Sequence, residues 1–181
     1  MEAKEFNKIA YDSLMDIHKH IFEQLKYAET KNHILLTINI AIIVMFIRYF
    51  FMVENKFDLF YWWYVTNFSF FVLPVYFILK AFFPKLNNAE KQQASNTENI
   101  NIYFFEQIKS LSSLQYLKIV KTAIGIKRTT NKRQLCNLSN QIVVLSDITS
   151  SKHFYYKKAF NSFIIASGFF IVSYILTIGV L

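Results

Sequence analysis

The sequence is poor in everything that breaks a helix or builds a metal or redox site. Its 181 residues include three glycines and two prolines. A barrel alternates short strands with frequent turns, so scarce Gly and Pro beside long apolar runs exclude it and leave helices. One cysteine, Cys136, permits no internal disulfide and no Cys/His metal cluster, and a buried thiol is its simplest role. No Gly-rich phosphate loop, HExxH or GxSxG segment occurs. His18 and His20 stand two apart and do not share a helix face, while His33 and His153 are isolated. The interiors of the apolar runs hold no acid, which excludes a proton relay of the kind pumps use, and no internal repeat suggests a transporter. The expectation is a chain with no catalytic residue, no metal and no cofactor: not an enzyme.

What the sequence does hold is three long apolar runs, roughly 33–53, 57–83 and 160–181. Each has about the 20 residues that a helix needs to cross the hydrocarbon core. The fold class expected is an all-α membrane protein with three transmembrane helices and a cytoplasmic helical bundle. Charge orients it. Residues 84–158 carry twelve Lys or Arg against four acids, and the rest of the chain is close to balanced. The positive-inside rule places that block in the cytoplasm, so the N-terminus lies inside and the C-terminus outside. No cleavable signal peptide is expected, because about 30 charged residues precede the first run and no small-x-small pattern follows it. The divisions are a cytoplasmic amphipathic helix (1–32), a two-helix transmembrane hairpin (33–83), a cytoplasmic helical region (84–158) with a mobile loop at 85–101, and a third transmembrane helix (159–181).

Residues 4–30 place Phe6, Ile9, Leu14, Ile17, Ile21, Leu25 and Ala28 at three- and four-residue steps, a pattern that predicts an amphipathic helix running directly into the first crossing. Within that crossing, Asn39 suits interhelical hydrogen bonding, and Arg48 either snorkels outward or serves as a gating charge. The second crossing opens on Tyr61, Trp62, Trp63 and Tyr64, an interfacial aromatic belt, and Pro74 predicts a kink near its middle. A further amphipathic helix is predicted from Ile102 to about Ile124, then a basic turn with Lys127, Arg128, Lys132 and Arg133. From Asn131 nothing breaks the helical pattern before Gly168, so one rod on the order of 75 Å is expected to enter the third crossing. That crossing carries small residues, among them Ser167, Gly168 and Ser173. They suit either an interface between copies or packing within one subunit.

The order of these features resembles the transmembrane effectors of the Pycsar antiphage system along nearly the whole chain. The residues that carry the resemblance are Glu29-Thr30-Lys31 with Leu35-Leu36 and Asn39, a second crossing ending at Pro84, Asn101-Ile102-Tyr103-Phe104-Phe105, and Asn140-Gln141-Ile142 with Leu145-Ser146-Asp147-Ile148 and Lys152-His153. The family often has Asp where this chain has Glu29. The resemblance implies a defence effector of the bacterial inner membrane. A partner cyclase makes a cyclic nucleotide on infection, and the effector senses it and impairs the membrane, stopping growth or killing the cell. The ligand implied is a cyclic pyrimidine mononucleotide, with cyclic di- or oligonucleotides as further possibilities; nucleic acid is not a partner. No β-roll nucleotide domain is present, so the ligand must bind the helical cytoplasmic region itself. Phosphate and base recognition wants Lys or Arg, an amide and an aromatic platform. The residues favoured are Lys31, Tyr103, Gln141 and Lys152. The basic turn comes second, because such segments beside membranes usually meet anionic lipid. A three-span monomer does not easily line a pore, so a homo-oligomer is expected. The competing functions are a non-enzymatic membrane anchor or regulatory subunit, and a small constitutive channel.

Overall fold

The computed structural model describes residues 2–52, 59–83, 100–126 and 132–179. Their regular structure is entirely helical: α1 (Glu2–Met52), α2 (Leu59–Phe82), α3 (Phe105–Ile108), α4 (Ser113–Ile124) and α5 (Lys132–Gly179). Helices α1, α2 and α5 each contain a stretch long and apolar enough to cross a membrane. The chain is an all-α membrane protein with three such helices. Residues 127–131 of the basic turn and 85–99 of the loop lie outside the described residues.

α1 is one helix of 51 residues because nothing in it can stop one: it holds neither Gly nor Pro. Its buried positions are Ala10, Leu14, Ile17, Ile21, Leu25, Ala28, Asn32, Leu35, Asn39 and Phe46. The steps of three, four and seven keep one face in phase with the 3.6-residue turn. Phe6 and Ile9, expected on that face, are exposed, and Ala10 takes the place.

The chain forms two compact units, Met1–Ala28 with Pro84–Lys152, and Glu29–Phe83 with His153–Leu181. In the first, the start of α1 packs with α3, α4 and the start of α5 around Leu14, Ile17, Ile21, Ile108, Tyr116 and Ile142. The helix predicted over 102–124 is here two helices. Ser112 interrupts it with a capping box: its Oγ accepts from the Gln115 N–H at 3.3 Å, while its own N–H donates to Gln115 Oε1 at 3.0 Å. These bonds satisfy donors that an interrupted helix would otherwise strand. Ser112 and Gln115 were readable as this signature, but the apolar periodicity masked them. α4 ends at Gly125, whose φ of +77° favours glycine and whose N–H reaches the Lys121 and Thr122 carbonyls.

The segment before α3 is set by side chains. The Tyr103 N–H donates to Asn101 Oδ1 at 3.0 Å, and the Asn101 N–H donates to Gln107 Oε1 at 2.7 Å. The Tyr116 hydroxyl donates to the Ile102 carbonyl at 2.9 Å from within the core. α3 is tied to α5 through Ser150, whose hydroxyl receives Lys109 Nζ at 2.6 Å and lies 3.1 Å from Glu106 Oε1.

Tyr116 gives a stability test. Burial, and after it the neighbouring Tyr103, holds its phenol above the usual tyrosine range. The folded form therefore prefers the neutral hydroxyl. Its contribution is whole below the unfolded value of about 10 and is lost as pH rises through the folded value. Tyr116→Phe strands the Ile102 carbonyl and should cost about 1–3 kcal/mol at neutral pH. Thermal melts should show the wild type's margin over Tyr116→Phe narrowing above about pH 10.

Candidate functional site

Helix α4 presents Leu114, Lys118 and Lys121 at i, i+4 and i+7, a single face, and Gly125 caps its end. α5 presents Arg133, Cys136 and Asn137 within one turn. Together with Leu117, Thr122 and Ile126 these residues line a cleft of about 940 Å³ in the first unit. Such a volume lies at the upper end of the range for small-molecule sites. Its floor is apolar: Leu117 and Ile126 are buried, while Leu114 is 68% exposed. Three of its side chains are cations and none is an acid, among the described residues. The Thr122 hydroxyl is already committed to the Lys118 carbonyl at 3.0 Å. A Cβ built on Gly125 meets nothing within 4 Å, so that wall of the cleft is open. A second groove of about 450 Å³ lies on the other flank of α5, lined by Tyr11, Met15, Gln134, Asn137, Leu138 and Gln141. It has amides and an aromatic ring but, among the described residues, no cation.

The second unit alternates apolar and polar contacts along its helices. Leu35, Ile78 and Ala159 form one apolar cluster, and Phe46, Phe71 and Ala166 form another. Phe46 meets four rings, those of Tyr64, Phe68, Phe71 and Phe170, at centroid distances of 4.7–6.2 Å. On α1, Asn39 lies between the positions of Leu35 and Phe46 and is fully buried. Its Nδ2 donates to the Leu35 carbonyl at 2.9 Å, while its Oδ1 is buried without a hydrogen bond. Asn67 donates to the Trp63 carbonyl at 2.8 Å, and its Oδ1 lies 3.3 Å from the Ser173 hydroxyl. Cations gather where the spans meet the basic segment. Lys31 lies 5.6 Å from the Tyr156 ring, Lys80 4.9 Å from Tyr76, and Lys158 4.5 Å from Phe154.

Residues 13–179 match the family model of the Pycsar effector protein domain. The chain belongs to the Pycsar effector family. It is an antiphage defence effector, and its family implies a partner system that produces a cyclic nucleotide. No curated protein matches it, and no solved structure does.

In this Pycsar effector the four residues favoured from sequence lie on α1 (Lys31), on the turn before α3 (Tyr103) and on α5 (Gln141 and Lys152). Tyr103 is exposed and meets His20 edge-on at 6.0 Å, and Gln141 is exposed on the second groove. Lys152 is buried and lines neither cleft. Lys31 belongs to the second unit and to the cation–aromatic set there. Of the basic turn, Lys127 and Arg128 fall outside the described residues, Lys132 begins α5, and Arg133 lines the larger cleft. Arg48 is exposed, facing away from the chain's own interior. Pro74 is buried, and α2 continues through it to Phe82. The small residues of the third crossing divide. Ser173 bonds to α2, Ser167 is half-buried, and Gly168 is exposed with open space beside it. Lys118, Lys121 and Asn137 carry no signal in the sequence, because their juxtaposition with Arg133 exists only once α4 and α5 are paired.

The buried amide of Asn39 is a built-in cost. An unpaired carbonyl oxygen removed from water costs about 1–3 kcal/mol, and an apolar group of similar shape avoids it. Asn39→Leu should therefore raise the unfolding midpoint of the detergent-solubilised protein. Asn67→Leu, which also removes the Ser173 contact, should gain less. Equal gains from the two would contradict this assignment.

Proposed function

We propose that this effector is switched on by a cyclic nucleotide bound in its first unit, and that it then breaches the bacterial inner membrane without covalent chemistry. The ligand is a cyclic pyrimidine mononucleotide or a related cyclic di- or oligonucleotide supplied by the partner cyclase. The protein itself needs no metal or cofactor. The observation that carries the proposal is the continuity of α5. One unbroken helix supplies Leu135, Leu138 and Ile142 to the core of the first unit and Ala159 and Ala166 to the clusters of the second. A ligand that prefers one setting of the early turns of α5 thereby biases the third span.

The breach itself follows from exposure and packing. In the most apolar stretch of α5 only 11% of the residues are buried within the chain. Lipid or further copies must cover the rest, and the open flank of Gly168 permits close approach. Activation is thus a rearrangement of a homo-oligomer into a leaky assembly, with death or growth arrest of the infected cell as the outcome. The basic segment and the cation–aromatic set support a cytoplasmic N-terminus and an outward C-terminus. In a Cys136→Ser background, a cysteine at position 55 should label from outside and one at position 95 only after permeabilisation. The reverse pattern would sink this topology.

Inserting Gly-Gly between Tyr156 and Lys157 softens α5, since each glycine costs about 1 kcal/mol in a helix interior. The insertion should spare nucleotide binding and abolish nucleotide-triggered depolarisation in cells. Full depolarisation with the insertion in place would refute coupling through α5. A wild-type protein that neither binds nor responds to any cyclic nucleotide would favour the anchor or constitutive-channel alternatives.

A further inference from the structure

We propose that the cleft between α4 and α5 is the anion-recognition site of the first unit: Lys118, Lys121 and Arg133 take a phosphodiester, and the attached base lies on the apolar floor. The assignment rests on the nucleotide-triggered function above and names its site.

Three properties of the cleft specify the ligand. The first is charge. Three cations and no acid line one concavity, among the described residues. Lys118 and Arg133 are exposed, so their heads stay hydrated until an anion arrives. Arg offers a planar fork for paired phosphate oxygens, and the lysines add point charges beside it. The second is the floor. Leu117 and Ile126 are nearly buried and Leu114 is largely bare, an apolar surface directly beside the cations. Inorganic phosphate would leave that surface wet, whereas a planar base covers it. The third is the rim. Asn137 is the one amide lining the cleft among the described residues, and it carries both donors and an acceptor. A base edge needs that combination, and the neighbouring Thr122 has already spent its hydroxyl proton on the backbone.

The other groove lacks the first property. Gln141 stands there with Tyr11 and two further amides but, among the described residues, with no cation to meet a phosphate. The cleft also lies on the early turns of α5, the helix that continues into the third span. Closing α4 toward α5 around an anion acts directly on that helix.

A phosphodiester can come from a nucleotide or from a lipid headgroup, and the chain's sole cysteine separates them. Cys136 lines the cleft and is partly accessible, so its alkylation rate reports occupancy. The full chain is placed in nanodiscs of neutral lipid, and cyclic UMP, cyclic CMP and a cyclic dinucleotide are titrated in turn. The nucleotide that raises the thermal midpoint should slow maleimide labelling of Cys136 about tenfold at ten times its Kd. Lys118→Gln and Arg133→Gln, both exposed and tolerant positions, should each weaken its binding roughly 10- to 100-fold. Asn137→Ala should change the ranking of the bases more than the affinity for phosphate.

A nucleotide that stabilises the protein while leaving Cys136 labelling and both Gln variants unaffected would overturn the site and leave the function standing. Protection of Cys136 by phosphatidylglycerol nanodiscs, with no nucleotide raising the midpoint, would overturn both. The cleft would then be a headgroup site.

Discussion

One stripe of side chains on α1 carries the fold through two solvents. From Ala10 to Phe46 the buried positions keep the phase of about ten helical turns, and two different packings use them. In the first unit the stripe is aliphatic, and water drives its burial against α4 and α5. In the second unit the surrounding lipid is as apolar as the side chains, so burial alone yields little association. There the same stripe turns to shape and polarity: Leu35 packs with Ile78 and Ala159, Phe46 packs among rings, and Asn32 and Asn39 are buried on the same face. A helix with a single glycine in its interior would pay less for bending between these regimes. α1 has none.

That difference in driving force bears on the proposed switch between a resting and an active arrangement. The second unit is held by aromatic contacts around Phe46 and by a few amides, and some buried polar atoms there lack a partner: Asn32 Oδ1, Asn39 Oδ1 and Trp63 Nε1. Each unmet group lowers the margin by which the resting arrangement is preferred. Water or another copy satisfies such groups, so a rearranged, wetter assembly lies closer in energy than it would for an all-apolar bundle. This supports the proposed mode of action, in which the ligand has only to tip an equilibrium.

The first unit shows the opposite economy. Several of its caps and turns are closed by hydrogen bonds: Ser112 with Gln115, Gly125 with the end of α4, Asn101 with Tyr103, and Ser150 between Lys109 and Glu106. Several residues through which the chain resembles its family therefore have a plain structural task. Asn101 shapes the turn before α3, and Ser146 returns its hydroxyl to the Ile142 carbonyl at 2.7 Å. The cationic cleft instead sits on α4 and the first turn of α5, where sequence motifs drew less attention.

The sequence by itself determined the helical class, the three spans and the continuity of α1 and α5. These follow from local properties: apolar length, 3.6-residue periodicity and the absence of Gly and Pro. Family membership was legible too, because ordered motifs survive without coordinates. It did not determine where the long amphipathic segment after Ile102 breaks, since hydrophobic periodicity continues across Ser112 and only the capping bonds reveal the interruption. Nor did it determine which chemistry-bearing residues face one another. Lys31, Tyr103, Gln141 and Lys152 share a family pattern, and that pattern does not say what each of them faces. Lys118, Lys121, Arg133 and Asn137 share no pattern, yet two helix faces bring them to one cleft. Side chains on separate helices meet only through packing, and that geometry was decided by the tertiary structure.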